Sequence, residues 1–338
     1  MKKIPRHTSK YWLTGAAAGL ATFSGGEPLF AMPWVNVSDL AARRVAPLDR
    51  FAAGYEHVLG TSLDLIIEAG RPSEAIECEA RLLGEIERLR RIFSTYDPTS
   101  EISRVMGGAS LVSAELAELF AAYEQWYTRT GGLVDLHLGE VVAAWREAAR
   151  TGRLPSRDLL ARAARLPLAF NVDALGKAFI IDRAVQVARR VAPGGVINLG
   201  GDIRAWGDTA WLVGIADPRN PAENAPPTAR FRLREGAAAT SGGYARFSTI
   251  AGKSFSHLID PRTHAPVEIG GSATMLAADS VTANALSTAA SIAGVEQGAA
   301  LAEAHGARGY FLADVSGRTL GGGLLASAVA AAPARAVE

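Results

Sequence analysis

One cysteine, Cys78, stands among 338 residues, so no disulfide can close within the chain and no cysteine-based zinc site can be built. Histidine is almost as scarce. The six lie at 7, 57, 137, 257, 264 and 305, and none shows the close pairing of a helix-borne metal site. Net charge is nearly absent: 35 Lys and Arg against 34 Asp and Glu leave +1, which excludes bulk attraction to nucleic acid or anionic lipid. There is no internal repeat. The longest apolar run near the N-terminus, "YWLTGAAAGLATF", is too short to span a bilayer comfortably. The one Gly-Gly strand end, "VINLGGDIRAWG" (196–207), carries neither a three-glycine nucleotide fingerprint nor a Gly-Lys-Ser/Thr ending.

What is present suits a globular body. Hydrophobic residues make up 49% and charged residues 20%, and the length allows one large or two ordinary domains. "MKKIPRHTSK" followed by the short apolar core and by "EPLFAMP" reads as an export signal over 1–31, cleaved after Ala31. An uncleaved anchor is the alternative. Cleavage implies a periplasmic mature protein with no stable membrane insertion. A single cysteine is compatible with that oxidising compartment. Residues 32–50 read as a linker, 51–325 as the folded domain and 326–338 as a flexible tail.

Within the domain, "TSLDLIIEA" (61–69) alternates and is β-branched, which predicts a strand. Helical spacing over 72–96, with Ile76, Leu83, Ile86 and Phe93 apolar, predicts a helix opened by Pro72. Further helices fit 113–132, closed by Gly131-Gly132, and 176–192. From 195 to 277 the chain turns to short β-type runs and glycine turns. A small-residue helix at 279–294 and a hairpin over 306–321 close it. The pattern is α+β, with segregated helices and a largely antiparallel sheet.

Several stretches offer chemistry beside a plain structural reading. "FSTYDPTSEISR" (93–104) is a helix end and a turn, with Ser100 and Glu101 placed to open the next segment. "VINLGGDIRAWG" (196–207) is a strand turning tightly into a hairpin, or a backbone loop for phosphate. Lys177 opens an apolar helix, where ammonium and helix amides would converge on an anion; otherwise it is a snorkelling surface lysine. "AATSGGYARF" (238–247) lets a ligand approach the backbone closely, or simply turns. Ser280, Asn284, Thr288 and Ser291 share one helix face. They could ligate a hard cation or serve close helix packing. In "SHLIDPRTHAPV" (256–267), Asp260-Pro261-Arg262-Thr263 is a turn in which Asp260 could pair with Arg262. His257 is a candidate base if its face looks into a cleft.

The order of these stretches carries more than any one of them. FSTYDPTSEIS, GGLVD before a Trp, ALGK, VINLGGDI, ATSGGY, SHLIDPRT and NALSTA together resemble the flavin transferase family called ApbE, over about residues 55–325. The resemblance implies a single ApbE-like (T-fold-type) α+β unit. It implies an enzyme that takes FAD as substrate with Mg²⁺, transfers FMN to a Thr or Ser hydroxyl of an acceptor flavoprotein and releases AMP. Carried over by motif, flavin and adenine contacts fall on Leu59, Tyr96, Leu133, Val134, Asp135, Asn171, Lys177, His257 and Leu258. Metal contacts fall on the Ala174 carbonyl, Asn284, the Ser287 carbonyl and Thr288. His257 is the base for the acceptor hydroxyl, Lys177 adds positive charge at the pyrophosphate, and Asp260 is the next candidate base.

The chain departs from the family pattern in places. Leu59 stands for a usual Met. Asn171 and Asn284 stand for usual aspartates, and an amide at 284 brings the cation no charge. His137 replaces a threonine, His264 a glycine and Asp173 a glycine. Asp173, beside Ala174, is the residue expected to restore the anion. These departures leave two other readings open: a flavin-binding protein of the same fold with weakened catalysis, and a Mg²⁺-dependent FAD pyrophosphatase.

Overall fold

The computed structural model describes residues 48–166, 169–220, 225–244 and 246–327, with the backbone of two-residue strands at Lys2–Lys3, Ala21–Thr22 and Val35–Asn36. The rest of the expected signal segment and of the tail lies outside the described residues. The folded body opens with strand β1 (Asp49–Val58), so Asp49 and Arg50, read from sequence as linker, are strand. Arg50 is tied there: its Nε donates to Glu68 Oε1 at 3.1 Å and its guanidinium lies over the Trp211 ring.

β1 pairs antiparallel with β2 (Thr61–Ala69). β3 (Gly194–Leu199) and β4 (Asp202–Trp206) follow in the sheet. Strands β5 (Trp211–Ile215) and β6 (Ala229–Leu233) form a separate small sheet. The main sheet continues through β7 (Gly236–Gly242), β12 (Ser272–Ala277), β13 (Gly309–Ala313) and β14 (Thr319–Gly323). Between β7 and β12 lie two short hairpins: β8 (Phe247–Ile250) with β9 (Lys253–Ser256), and β10 (Ile259–Asp260) with β11 (Ala265–Pro266). Every neighbouring pair is antiparallel.

Period-two alternation sends the two faces of the sheet into different layers. In β2, Leu63, Leu65 and Ile67 face a large core shared with the helices, while Ile66 joins a second core under the small sheet with Trp211, Val213 and Phe231. Helix α1 (Pro72–Phe93) buries Ala75, Cys78, Leu82, Ile86, Leu89 and Phe93. That stripe recurs every three or four residues, as a helix against a sheet requires. Ile76, read from sequence as part of it, is exposed. The helical layer also holds α2 (Glu101–Met106), α3 (Ala114–Arg129), α4 (Gly139–Thr151), α5 (Arg157–Ala163), α6 (Gly176–Ala188), α7 (Ser280–Ala293) and α8 (Val295–Ala304). Asp279 caps α7 by accepting from Thr282 N at 2.7 Å, and Asp182 of α6 accepts from Ser280 N and Val281 N. These bonds satisfy the helix's orphan amides and fix the start of α7 against the middle of α6.

Candidate functional site

Antiparallel pairing brings the end of β1, the start of β2, the end of β3, the start of β4 and the end of β7 to one edge of the sheet. A cleft of about 870 Å³ opens there, within the range of roughly 300–1,000 Å³ typical of small-molecule sites. Two turns shape its sheet side. His57, Leu59 and Gly60 take φ of 60°, 50° and 78° between β1 and β2. Gly200 and Gly201 take 61° and 93° between β3 and β4, the positive-φ pair of a tight hairpin. A Cβ at Gly200 would lie 2.4 Å from Thr61 Oγ1, so glycine is required where the two turns meet. Of the two readings of "VINLGGD", the hairpin is the one the chain adopts.

Twelve of the fourteen residues expected at the site line this cleft: Leu59, Tyr96, Leu133, Val134, Asp135, Asn171, Ala174, Lys177, His257, Leu258, Asn284 and Thr288. Local bonds explain their placement. Ser94, just past α1, accepts from Tyr96 N and Asp97 N, and its carbonyl receives the Ser100 hydroxyl at 2.6 Å. Ser100 in turn caps α2. Asn171 Oδ1 accepts from Asp173 N at 3.0 Å, and the buried Tyr123 hydroxyl accepts from Leu175 N at 3.0 Å, which sets the Ala174 turn at the head of α6. The other two residues are not on the cleft wall. Ser287 is fully buried, its hydroxyl donating to the Asn284 carbonyl at 3.1 Å. Asp260 is held by Arg262, whose Nη2 donates to Oδ2 at 2.8 Å and whose backbone N donates to Oδ1 at 2.8 Å. That pairing, expected from the turn sequence, holds the Asp260 carboxyl below the usual range against the opposing effect of burial.

His257 follows β9 in a bend rather than lying on a strand. Its backbone N and its ring Nδ1 both approach the Arg246 carbonyl, at 3.1 Å and 3.0 Å. A carbonyl can only accept, so Nδ1 carries the hydrogen and Nε2 keeps the lone pair in the neutral ring. The ring is open to the cleft, yet the surrounding walls desolvate the imidazolium and hold its pKa below the ordinary histidine value. The Arg246 carbonyl opposes that shift, and the Arg246 and Lys177 charges add to it.

The floor is polar. Lys177 Nζ lies 2.8 Å from Asp202 Oδ2, and Asn284 Nδ2 donates to the same oxygen at 2.8 Å. Asn284 Oδ1 lies 3.5 Å from Thr288 Oγ1, which lies 3.4 Å from Ser241 Oγ. Lys177 is thus neither a free surface lysine nor an isolated cation. Asp173 is half-exposed at the mouth, paired with Arg146 at 3.1 Å, and Arg146 lies over the Tyr96 ring. The carboxylate in contact with Asn284 is therefore Asp202, not Asp173. None of Asp202, Ser241, Arg146 and Arg246 was expected from sequence as a site residue, although Asp202 and Ser241 lie in two of the glycine-bearing stretches singled out there, "VINLGGDIRAWG" and "AATSGGYARF".

The lining fits a dinucleotide and a hard cation. Leu59, Leu133, Val134, Phe255 and Leu258 offer apolar wall, and Lys177, Arg146 and Arg246 offer positive charge. The oxygen-only donor set of Asp202, Asn284, Thr288 and Ser241 suits Mg²⁺ or a similar ion.

Comparison with known proteins bears on the family and the fold. Residues 59–311 match the model of the ApbE family. An FAD:protein FMN transferase of Haemophilus influenzae is 27% identical over 254 residues, spanning 65% of this chain and 73% of the relative. One of Treponema pallidum is 26% identical over 292 residues, spanning 73% and 80%. Among solved structures, an ApbE protein of Thermotoga maritima superposes with a TM-score of 0.70 at 23% identity, covering 80% of this chain and 96% of that one. The flavin transferase ApbE from Vibrio cholerae gives 0.68 at 19% identity, covering 81% and 97%. At these identities the solved structures speak to the fold, which is the α+β architecture expected from sequence.

Proposed function

The chain belongs to the ApbE family, and from that premise we propose that it is an FAD:protein FMN transferase acting on a Thr or Ser hydroxyl of an acceptor flavoprotein. FAD lies in the cleft with its flavin and adenine along Leu59, Tyr96, Leu133–Asp135 and Asn171 and its pyrophosphate toward Lys177. His257 Nε2 takes the proton of the acceptor hydroxyl. The freed oxygen forms a bond to the FMN phosphorus as the bond to the bridging oxygen breaks, and AMP leaves with that electron pair. Mg²⁺, when bound, supplies charge neutralisation on the pyrophosphate oxygens. Asn284, Thr288 and the carbonyls of Ala174 and Ser287 are its candidate ligands.

The observation that supports this reading best is the tautomer of His257. Its Nδ1 is committed to the Arg246 carbonyl, which leaves a basic nitrogen in the same cleft as the Lys177–Asp202 floor. The test mixes protein, FAD and Mg²⁺ with and without a threonine-containing acceptor peptide. Covalent FMN on the peptide with equimolar AMP is expected. AMP without labelled peptide would mean a pyrophosphatase. Neither product, with FAD still bound, would mean a flavin-binding protein.

Residues 1–31 act in this reading as a cleaved export signal, supported by their sequence pattern. No helix among the described residues is long and apolar enough to cross a membrane. N-terminal sequencing of the protein from a periplasmic extract should start near Met32. Intact Met1 in the cytoplasm would overturn the assignment.

A further inference from the structure

Asp202 is buried to 4% exposure at the start of β4. A carboxylate removed from water needs positive charge and donors around it. Asp202 finds both at a single oxygen: Oδ2 takes Lys177 Nζ from α6 and Asn284 Nδ2 from α7, each at 2.8 Å. The amide of Asn284 leads on to the hydroxyls of Thr288 and Ser241. Four elements (β4, α6, α7 and β7) thus converge on one carboxylate, one amide, two hydroxyls and one ammonium.

The ammonium is what does not belong in a cation site. A Lys Nζ and a divalent ion placed on the same carboxylate oxygen repel each other at short range, in surroundings where screening is weak. One of them must leave. The lysine stem is flexible and its head is a compact point charge, so it can swing without rearranging the fold. Asn284 cannot supply the charge itself, and Asp173 is occupied by Arg146.

We propose that Asp202 is the charged ligand of the divalent cation and that Lys177 is its placeholder. The ammonium neutralises Asp202 while the cation is away. The arriving cation displaces it, and the freed ammonium turns to the pyrophosphate of the incoming dinucleotide. The inference rests on the transferase reading for the identity of the pyrophosphate ligand. It goes beyond that reading in naming Asp202 and in making the cation and Lys177 competitors.

The test is Mn²⁺ binding to the intact protein without FAD, read from the electron paramagnetic resonance signal of free Mn²⁺, a hard ion suited to the same donors. Asp202→Asn should weaken binding by about ten-fold or more, because the charged ligand is lost. Lys177→Ala should tighten it by about ten-fold, because the competitor is gone. In the double variant the tightening should vanish, since the site of competition is missing. Asp202→Glu, which keeps the charge, should retain binding and reports on the site if Asp202→Asn folds poorly. The proposal fails if Asp202→Asn binds Mn²⁺ as wild type does. It fails equally if Lys177→Ala tightens binding as much in the Asp202→Asn background, which would be a field effect, or if Lys177→Ala leaves affinity unchanged. No measurable Mn²⁺ binding in any form also overturns it. FMN transfer is scored separately: the Mn²⁺ pattern without transfer sinks the transferase reading alone, and transfer without the pattern sinks this one alone.

Discussion

A neutral imidazole is a defined base only when one of its nitrogens is committed, and His257 meets that condition through the Arg246 carbonyl. The base is the unprotonated ring, so transfer should fall as pH drops through its pKa. Desolvation holds that pKa below the ordinary value near 6.5, so the fall should come at lower pH than for a solvated histidine. His257→Ala should slow single-turnover transfer by roughly 10²–10⁴-fold at saturating FAD, a far larger effect than the loss of one flavin-side contact has on FAD affinity. An alanine variant with wild-type rate at all pH values would remove His257 from the chemistry. At this scale the sequence was readable where chemistry and position coincide in a short run. Lys177 at a helix start and His257 in SHLIDPRT are such cases. Asp202 was not, because "GGDI" is a hairpin by its own local signal. Its partner Asn284 lies 82 positions on, and only the fold brings the two together.

Helix α7 carries one of the departures from the family pattern, Asn284. Its other charges are absent: the stretch Ser280–Ala293 has no acidic residue in the first turn and no basic residue in the last. Asn284 now donates to Asp202. Asn284→Asp replaces that donor with a second carboxylate beside a buried one, a like-charge contact that costs stability and is relieved by a cation. The variant should melt lower than wild type without metal, regain stability as Mg²⁺ is added, and bind Mg²⁺ more tightly. Melting curves across a Mg²⁺ titration check this; superimposed curves for the two proteins would mean that position 284 does not meet the ion. Elements were legible where one periodicity ran long enough. The strand 61–69 is β2, residue for residue, and helices expected at 72–96, 113–132, 176–192 and 279–294 appear as Pro72–Phe93, Ala114–Arg129, Gly176–Ala188 and Ser280–Ala293. The shortening at α1 follows from Ser94, whose hydroxyl takes the next amides. β1, α4, α5 and α8 escaped notice. β1 carries Gly54 and polar residues at its far end. α4 begins at Gly139, where a Cβ would meet the Ala169 backbone at 2.7 Å, a tertiary contact that has no sequence signature.

At the scale of the whole molecule, the cleft draws on the sheet edge, the helical layer and both small hairpins, so a ligand that fills it bridges all three. Binding to the folded state alone raises stability by RT ln(1 + [L]/Kd), about 2.7 kcal/mol at a hundredfold excess over Kd. For a body of this size that corresponds to a rise in Tm of about 5 °C. FAD should produce such a shift. Mg²⁺ alone should produce little, because Lys177 holds Asp202 in its absence. The two together should exceed the sum of their separate shifts, because each favours the arrangement in which the ammonium has left Asp202 for the pyrophosphate. A tenfold mutual gain in affinity adds about 1.4 kcal/mol, and linkage requires it to be the same whichever ligand is added first. Riboflavin is the control that decides the cause. It carries the same ring system without a pyrophosphate, so its shift should simply add to that of Mg²⁺. Coupling with FAD and none with riboflavin places the shared contact at the phosphates. Coupling with both would put it at the flavin ring, and additivity with both would separate the cation from the dinucleotide altogether.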